Sequence, residues 1–502
     1  MKNILQDSKN IYFIGIGGIG VSAIARMMLK EGKHVSGSDI SRSEIINELE
    51  KLGAKFEVGQ NVDMIPDDTD LIIYSPAVTI YDPKLLDAIK KKKIPALTYP
   101  ETLREISKDK YTIAVSGTHG KTTTTAMIAK MMIDAGLDPT VIVGSLIKSP
   151  EVSPQGAKRG EVSPRGILSC ENFSKDSPSK AKERPLKKFQ TNFIAGKSKY
   201  FIVESCEYQK SFLNIKPTIA LITNIDNDHL DFYKDLEAIQ NAFKEFISQV
   251  EESGYIISDI KHKTVCPLIK NLKANIINSK DYFKENLKLK IPGKHNKENA
   301  SLALAVAKIL GIDKKKAKKS LENFSGTWRR FEYKGKTKKG ILVYDDYGHH
   351  PTEVKATLSG AREFFGKKKI FVVFQPHLFS RTKLLLNDFA KAFKDADEVL
   401  LAPIYSAREK FDPSISSEIL ADKIRLSLRA KRGNPASSCH SRGGGNLGLG
   451  PRICEDGKRK VISFANFNEI ENYLSKKLKK GNVLLTMGAG DVYKIGETLV
   501  KN

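Results

Sequence analysis

The sequence predicts an α/β protein of three domains. The chain has 502 residues, whereas a typical domain has about 100–200. Apolar runs that read as strands alternate with segments of helical spacing, the pattern of parallel sheets covered by helices. Two of these runs end in glycine-rich turns that open a helix, which is how α/β proteins bind phosphate groups.

The composition is that of a globular protein rather than a membrane or disulfide-rich one. The hydrophobic fraction is 40% and the mean hydropathy is −0.32, and no apolar run approaches the roughly 18–20 residues of a membrane span. The start MKNILQDSKN lacks the layout of a signal peptide, so we expect a cytoplasmic protein without a membrane partner. Five cysteines form no CxxC pair, which argues against a zinc knuckle.

The net charge of +25 raises the question of nucleic acid. The lysines are spread through helix-like stretches such as DKKKAKKSLENF, where they are expected on solvated faces. Single-strand binders interleave aromatic residues with a basic groove, and the aromatic residues here lie mostly in strand-like runs. We therefore expect no nucleic-acid partner.

The first unit alternates strand and helix from its start. IYFIGIGG is an apolar run ending in glycines, VSAIARMMLKEG has helical spacing, and HVSGSD and LIIYSPAV read as further strands. A boundary is predicted near residues 99–100, before the next strand TIAVSG. These elements predict a parallel sheet with helices on its faces.

The second and third units continue the alternation. The second contains the strands TIAVSG, KYFIVE and TIALITNI and the helix NKENASLALAVAKIL. The third contains the strands ILVYDDYGHHP, KKIFVVFQPH, DEVLLAPIY and NVLLTMGAGD. Residues near 149–190 and 429–459 show no period and are rich in proline or in glycine and arginine, so both are predicted to be disordered surface insertions.

The strongest motif is SGTHGKTTTT, residues 116–125, between a strand and a helix. Backbone N–H groups at such a helix start cradle phosphates. Lys121 would reach the β- and γ-phosphates, and the Thr122 hydroxyl would bind Mg²⁺. Val115 stands where the strict pattern has glycine, so the loop is a short variant of the nucleotide-binding motif.

A second glycine loop, GIGGIG at residues 15–20, also follows a strand and opens a helix. Asp39 ends the second strand, as in the dinucleotide-binding pattern. Such a loop is expected to bind a diphosphate at the helix N-terminus, and both a nucleotide sugar and NAD contain a diphosphate. Close packing of strand and helix without any ligand is the alternative.

Polar residues follow several strands. Glu204 ends KYFIVE, at a position beside the phosphate loop where a Mg²⁺ ligand is expected, with an ordinary surface carboxylate as the alternative. NIDNDHLD follows the next strand and indicates polar site chemistry, with a capped turn as the alternative. His349 and His350 are adjacent in DYGHHP and would point to opposite sides, which favours substrate contact over zinc.

Three classes of function remain open on these motifs. An NAD-dependent oxidoreductase would use GIGGIG but not GTHGKTTTT. A nucleic-acid ATPase would use GTHGKTTTT but not GIGGIG. Only an enzyme that takes ATP and a second diphosphate-bearing substrate uses both loops.

The chain resembles the Mur ligases. GTHGKTTT, ESCEY, TNIDNDHLD, GKHNKENA, WRRFE and DYGHHPTE occur in the order seen in that family, and the resemblance covers nearly the whole chain apart from the two insertions. It implies a Rossmann-like UDP-binding domain over residues 1–107, a central ATP-binding domain over 108–325 and a Rossmann-like C-terminal domain over 326–502.

The resemblance also implies the reaction. The forms GIGGIG and DYGHHP point to ATP-dependent joining of L-alanine to UDP-N-acetylmuramate, a step of peptidoglycan synthesis, with ADP and phosphate as products. A recycling ligase of the same family, which attaches a tripeptide, is the alternative. ATP and Mg²⁺ are the implied cofactors, and the protein would be a monomer or a homodimer.

The family motifs assign roles to individual residues. The implied catalytic residues are Lys121, Glu204, His229 and His349. The implied metal ligands are Thr122, Glu204 and His229. The implied ATP site comprises Gly117, Thr118, His119, Gly120, Lys121, Thr122, Thr123, Asn296, Asn299, Arg329 and Asp346. The implied substrate site comprises Gly15, Gly17, Gly18, Gly20, Asp39 and Arg381. Whether Lys244 aligns with the carbamylated lysine of some relatives stays open.

Overall fold

The computed structural model describes residues 4–147, 191–230, 232–283, 286–407, 409–430, 454–456 and 459–501. These residues form three sheets with helices packed around them, which confirms the predicted α/β architecture of three domains. None of the described helices combines the length and apolar character needed to cross a membrane.

The first sheet is entirely parallel. Its strands are β1 (Asn10–Ile14), β2 (His34–Asp39), β3 (Lys55–Val58), β4 (Leu71–Tyr74) and β5 (Ala96–Thr98). Its helices are α1 (Ile4–Asp7), α2 (Ile19–Lys30), α3 (Glu44–Lys51), α4 (Pro76–Tyr81), α5 (Pro83–Lys91) and α6 (Tyr99–Ser107). The strand order β3-β2-β1-β4-β5 is that of a doubly wound nucleotide-binding fold.

The second sheet carries the phosphate-loop motif in its middle strand. Its strands are β6 (Tyr111–Ser116), β7 (Thr140–Ile147), β8 (Thr191–Ile194), β9 (Tyr200–Glu204), β10 (Ile219–Ile222), β11 (Tyr255–Ser258) and β12 (Asn275–Asn278). Its helices are α7 (Lys121–Asp134), α8 (Leu236–Ser248), α9 (Lys294–Ile309) and α10 (Lys314–Glu322). The order is β12-β11-β10-β6-β9-β7-β8, with β8 antiparallel to β7.

The third sheet has antiparallel strands at both edges. Its strands are β13 (Glu332–Lys336), β14 (Leu342–Asp346), β15 (Ile370–Phe374), β16 (Glu398–Leu401), β17 (Cys454–Asp456), β18 (Arg459–Ser463) and β19 (Val483–Met487). Its helices are α11 (Pro351–Phe365), α12 (Phe379–Leu384), α13 (Leu386–Ala392), α14 (Ser417–Ala430), α15 (Phe467–Lys477) and α16 (Tyr493–Lys501). The order is β13-β14-β19-β15-β16-β18-β17.

Burial explains which strands the sequence reveals. The residues of β4, β10, β15, β16 and β19 are all buried, because helices cover both faces of a parallel sheet. Edge strands such as β3 and β12 are largely exposed and contain polar residues. They therefore lack the continuous apolar run by which an interior strand is recognised in the sequence. The interior strands therefore align the loops that follow them along one edge of each sheet.

The first domain packs against the edge of the second sheet. Asn192 in β8 is fully buried, and its Nδ2 donates to the Ile19 carbonyl oxygen at 2.5 Å and to Ser22 Oγ at 2.8 Å. Both acceptors lie in α2, the helix that GIGGIG opens. The glycine loop of the first domain is thus held against the central domain.

The predicted insertion at 149–190 lies outside the described residues, whereas the residues that flank it belong to the paired strands β7 and β8. Ile147 at the end of β7 pairs with Thr191 at the start of β8. The prediction of a disordered insertion at 429–459 needs correction. Helix α14 extends to Ala430, and Cys454–Asp456 form β17, so both ends of that range contain regular structure. A three-residue edge strand gains its hydrogen bonds from β18 rather than from an apolar run, so the sequence pattern did not show it.

Removal of the first insertion should leave a folded chain. Joining Lys148 directly to Phe189 leaves a three-residue connection between the paired residues Ile147 and Thr191, a length that hairpins use. A shorter loop loses less entropy on closure, by up to about 2 kcal/mol here. We expect a melting temperature by circular dichroism no lower than that of the full chain. Loss of ATP turnover in a folded variant would show that the segment belongs to the active site.

Candidate active site

The phosphate loop, residues 117–120, connects β6 to α7 as predicted. Gly117 has φ +129° and Gly120 has φ +85°, values that favour glycine. A Cβ atom on Gly117 would lie 2.0 Å from Thr223 Oγ1, and one on Gly120 would lie 2.6 Å from Asn299 Oδ1. Both glycines therefore let neighbouring segments approach the loop closely.

Lys121 is folded over the phosphate loop. Its Nζ donates to the carbonyl oxygens of Gly117 at 2.5 Å and Thr118 at 3.1 Å, and it lies 2.9 Å from Glu207 Oε2. Burial alone would lower the pKa of Lys121, but the Glu207 carboxylate raises it above its ordinary value. The lysine therefore stays charged where an anionic phosphate would meet it.

Thr122 and Glu204 provide oxygen ligands at the start of α7. Thr122 Oγ1 donates to Glu204 Oε1 at 3.0 Å, and the Gly144 N–H donates to Glu204 Oε2 at 2.7 Å. A Cβ atom on Gly144 would lie 2.7 Å from Glu204 Oε1, so glycine makes room for the carboxylate. Hydroxyl and carboxylate oxygens are the donors that Mg²⁺ prefers, and this pair fits that ion.

His229 lies near Glu207, the buried carboxylate that also contacts Lys121. Its Nε2 is 3.7 Å from Glu207 Oε1, and its ring is 4.7 Å from the ring of Tyr208. Its φ of +55° belongs to the left-handed region, which strains a residue with a side chain. Glu207 therefore contacts both Lys121 and His229, two of the residues predicted to be catalytic.

The loop that follows β10, residues 223–229, holds the phosphate loop from one side. Thr223 Oγ1 and Asn224 Nδ2 donate to the His119 carbonyl oxygen at 2.6 and 2.9 Å. The His119 N–H donates in return to Asn224 Oδ1 at 3.0 Å. The backbone at His119 is thus fixed by the central domain.

The C-terminal domain also contacts the loop that follows β10. Three of its side chains contact three consecutive loop residues: Thr352 Oγ1 donates to Asp226 Oδ2 at 2.8 Å, His350 Nε2 to the Asn227 carbonyl oxygen at 3.0 Å, and Arg381 Nη2 to Asp228 Oδ1 at 3.0 Å. The DYGHHP segment is thereby brought to the nucleotide motifs, as the family resemblance implies.

The side chain of His119 lies between two carboxylates. Its Nε2 is 3.2 Å from Asp226 Oδ2 and its Nδ1 is 3.3 Å from Glu353 Oε1. Burial would lower the pKa of His119, but the hydrogen bonds to Asp226 and Glu353 raise it to about 9. His119 is therefore an imidazolium ion at neutral pH.

A cavity of about 970 Å³ opens beside the phosphate loop, between the central and C-terminal domains. Its walls include residues predicted for the ATP site: His119, Gly120, Thr122, Thr123, Asn296, Asn299 and Asp346. Asn296 and Asn299 are 5% exposed on α9. The volume and the polar lining suit a nucleotide.

Arg329, which was predicted for the ATP site, is not among the residues that line this cavity. Its Nε donates to Asp345 Oδ2 at 2.8 Å, and its Nη atoms donate to the carbonyl oxygens of Gly488 and Gly490. The residue is 3% exposed. Its neighbour Arg330 lines the cavity instead, and two adjacent arginines offer no sequence signal for which of them faces inward.

Asp346 and Arg381 make contacts within the protein that their predicted roles did not include. Asp346 accepts the Phe331 and Gly348 N–H groups, each at 2.8 Å, and burial raises its pKa to about 6. Arg381 Nη1 lies 2.9 Å from His377 Nδ1 in addition to its pair with Asp228. Both residues therefore organise the C-terminal side of the cleft.

His349 and Lys244 differ in environment. The His349 ring is 5.3 Å from that of His377 and 5.4 Å from that of Tyr347, and burial lowers its pKa to about 4. His349 is thus neutral at physiological pH. Lys244 lies exposed on α8, beside the Lys210–Glu245 ion pair.

The glycine loop of the first domain is held by its own acidic residue. The Gly17 N–H donates to Asp39 Oδ2 at 2.8 Å, and the Gly18 N–H to the Gly15 carbonyl oxygen at 3.1 Å. A Cβ atom on Gly20 would lie 2.7 Å from the Tyr99 ring. Gly20 thus permits the close approach of α6 to α2.

Sequence reasoning missed three residues of the site, namely Glu207, Arg330 and Glu353. Each lies within a segment that carried the family resemblance, ESCEY, WRRFE or DYGHHPTE. Glu207 meets Lys121 and Glu353 meets His119, which are 86 and 234 positions away in the chain, and Arg330 lies 3.9 Å from Glu353. Those pairings depend on the fold and have no local sequence signal.

Family models match three successive parts of the chain. The model described as Mur ligase family, catalytic domain, matches residues 10–111. The Mur ligase middle domain matches residues 115–287, and the Mur ligase, glutamate ligase domain, matches residues 329–490. The three matched parts follow the order of the three sheets, and the second match begins within β6.

Curated relatives match over nearly the full length. The UDP-N-acetylmuramate–L-alanine ligases of Acetivibrio thermocellus and Clostridium acetobutylicum are 39% and 38% identical, with coverage of 98% of this chain and 96% and 97% of theirs. The crystal structure of the Thermotoga maritima UDP-N-acetylmuramate–alanine ligase matches with a TM-score of 0.69 at 26% identity, covering 98% of both chains. A murein peptide ligase from Psychrobacter arcticus shares the fold, with a TM-score of 0.63, 21% identity and 98% coverage of both chains.

The raised pKa of His119 makes stability depend on pH. Its folded pKa of about 9 exceeds the ordinary value of 6.5, so the stabilisation is fully present below about pH 6.5 and is lost as the pH rises through 9. A shift of this size is worth about 3 kcal/mol at most. We expect the wild type's advantage in melting temperature over His119→Gln to shrink between pH 6.5 and 9.5. Parallel melting curves across that range would contradict the charged pairing.

Proposed function

The chain belongs to the Mur ligase family, and we propose that it joins L-alanine to UDP-N-acetylmuramate at the expense of ATP. The observation that carries the proposal is the contact of the DYGHHPTE segment, residues 346–353, with the loop after β10, through His350 and Thr352. This contact brings the nucleotide cavity close to His349, which is half-buried and neutral at physiological pH. Full-length relatives named for this reaction support it.

The reaction needs an activated carboxylate. An oxygen of the muramate carboxylate attacks the γ-phosphorus of ATP, the bond to the β-phosphate oxygen breaks, and ADP leaves. The alanine nitrogen then attacks the carbonyl carbon of the acyl phosphate, loses its proton, and the C–O bond to phosphate breaks. Both steps bring anionic groups together, so catalysis depends on charge neutralisation and positioning.

The central domain supplies the positive charge for the phosphates. The N–H groups of the phosphate loop and Lys121 bind the β- and γ-phosphates. Thr122, Glu204 and His229 would hold Mg²⁺. That ion neutralises phosphate charge when it is bound. Further contacts of the nucleotide come from Gly117, Thr118, His119, Gly120, Thr123, Asn296, Asn299 and Asp346.

The other two substrates approach from the outer domains. The diphosphate of UDP-N-acetylmuramate binds at the start of α2, on the loop of Gly15, Gly17, Gly18 and Gly20, with Asp39 holding that loop in shape. Arg381 lies near the muramate carboxylate, and His349 lies near the incoming amine. The step belongs to peptidoglycan synthesis in the cytoplasm.

An assay of ADP release tests the proposed reaction. We expect release only when both UDP-N-acetylmuramate and L-alanine are present with ATP and Mg²⁺. Lys121→Ala should bind UDP-N-acetylmuramate yet turn over about 10²–10³ times more slowly, because it lacks a contact made at the transition state. Release with a tripeptide but not with L-alanine would favour the recycling ligase.

The glycine loop can be tested separately from the phosphate loop. A Cβ atom on Gly17 would lie 2.9 Å from Ile46 Cδ1 and 3.0 Å from Asp39 Oδ2. We expect Gly17→Val to raise the KM for UDP-N-acetylmuramate at least about tenfold, while the KM for ATP stays within twofold. Circular dichroism should show an unchanged fold. An unchanged KM for the nucleotide sugar would remove this loop from the substrate site.

A further inference from the structure

The Glu353 carboxylate serves two parts of the active site at once. Its Oε1 faces His119 Nδ1 of the phosphate loop at 3.3 Å, with Arg330 Nη1 at 3.9 Å. Its Oε2 accepts the backbone N–H groups of His349 at 3.0 Å and His350 at 3.3 Å. One side chain thus joins the phosphate loop to the segment that carries the histidine pair.

Both ends of this connection are sheltered from water. The side chains of Glu353 and His119 are 15% and 12% exposed, so their attraction is weakly screened. Glu353 also caps α11, because its carboxylate accepts the His350 N–H while the His350 ring accepts from the backbone. A shift of α11 therefore moves the carboxylate relative to the phosphate loop.

His119 transmits such a shift to the phosphate loop. Its backbone forms hydrogen bonds to Thr223 and Asn224 of the central domain, and its ring binds the C-terminal domain through Glu353. We propose that Glu353 is a positioning residue that couples docking of the C-terminal domain to the arrangement of the phosphate loop. The proposal rests on the ligase function described above.

The coupling serves the order of events in ligation. The acyl phosphate forms in the central domain, and the amine arrives beside His349 of the C-terminal domain. An acyl phosphate that is left open to water can hydrolyse before the amine reaches it. Since Glu353 holds both half-sites, phosphoryl transfer proceeds at full rate only when the C-terminal domain is docked.

A metal site is the competing interpretation of this cluster. Ligand atoms of His119, Asp226 and His350 lie within 4.8 Å of one another. However, both ring nitrogens of His119 face carboxylate oxygens, which only accept, so both nitrogens carry protons and neither offers a lone pair. Thr352 also donates to Asp226, which makes the cluster a hydrogen-bond network across two domains.

The test compares two glutamates of the same helix. Glu353→Gln keeps the shape but removes the charge, whereas Glu363→Gln is the control, because Glu363 is exposed and lies 3.9 Å from Lys297 of the central domain. We expect kcat to fall about 10–100-fold in Glu353→Gln. The KM for UDP-N-acetylmuramate should stay within about threefold of the wild-type value. The ATP affinity, measured without the other substrates, should also stay within about threefold of the wild-type value. Glu363→Gln should keep wild-type kinetics. A Glu353→Gln enzyme with wild-type kcat would overturn the proposal.

A double-mutant cycle tests whether His119 is the partner. Residues that act through one contact are non-additive, so His119→Gln together with Glu353→Gln should be no slower than the slower single variant. Losses that multiply would show that the two residues act independently and would refute the coupling.

Fluorescence provides a readout that does not need the ligation reaction. Trp328 is the only tryptophan of the chain. Its backbone N–H donates to the Leu146 carbonyl oxygen, and its ring lies 6.1 Å from that of Tyr493. Its emission therefore reports on the junction of the two domains. We expect a shift on adding Mg²⁺ and a non-hydrolysable ATP analogue to the wild type and to Glu363→Gln, and a smaller shift in Glu353→Gln. Equal shifts in all three would refute the coupling, whereas absent ligation by the wild type would refute only the proposed function.

Discussion

The contact between the loop after β10 and the start of α11 holds the active site together. Asp226 and Asn227 accept hydrogen bonds from Thr352 and His350, and an ion pair at Asp228 extends the contact towards α12. The loop belongs to the sheet that carries the phosphate loop, and α11 follows the strand that ends in DYGHHP. The nucleotide cavity exists between the two domains because this contact joins them.

Charge compensation is the physical principle of this interface. Buried cations lose their hydration and need a carboxylate close by. Lys121 has Glu207, His119 lies between two carboxylates, and Arg329 is paired with Asp345. Each of these cations at the site is therefore compensated by a carboxylate close to it.

Much of the fold and the main motifs could be predicted from sequence, because they depend on local physics. An apolar run, a glycine turn and a helix start are adjacent in the chain, so the motifs at residues 15–20 and 117–120 can be recognised from short segments. The edge strands could not be predicted, because a short strand such as β17 obtains its hydrogen bonds from a partner. The choice between Arg329 and Arg330 depended on β19 and the loop after it, about 160 residues further along.

The sequence alone determined the α/β class, the two glycine loops and the family resemblance, since these follow from periodicity and from motifs of fewer than ten residues. Tertiary structure alone decided which charged groups meet. Glu353 faces His119 across 234 positions of the chain, and Glu207 faces Lys121 across 86. The electrostatic energy of such a pair depends on distance and burial, and both quantities exist only once the domains have folded and come into contact.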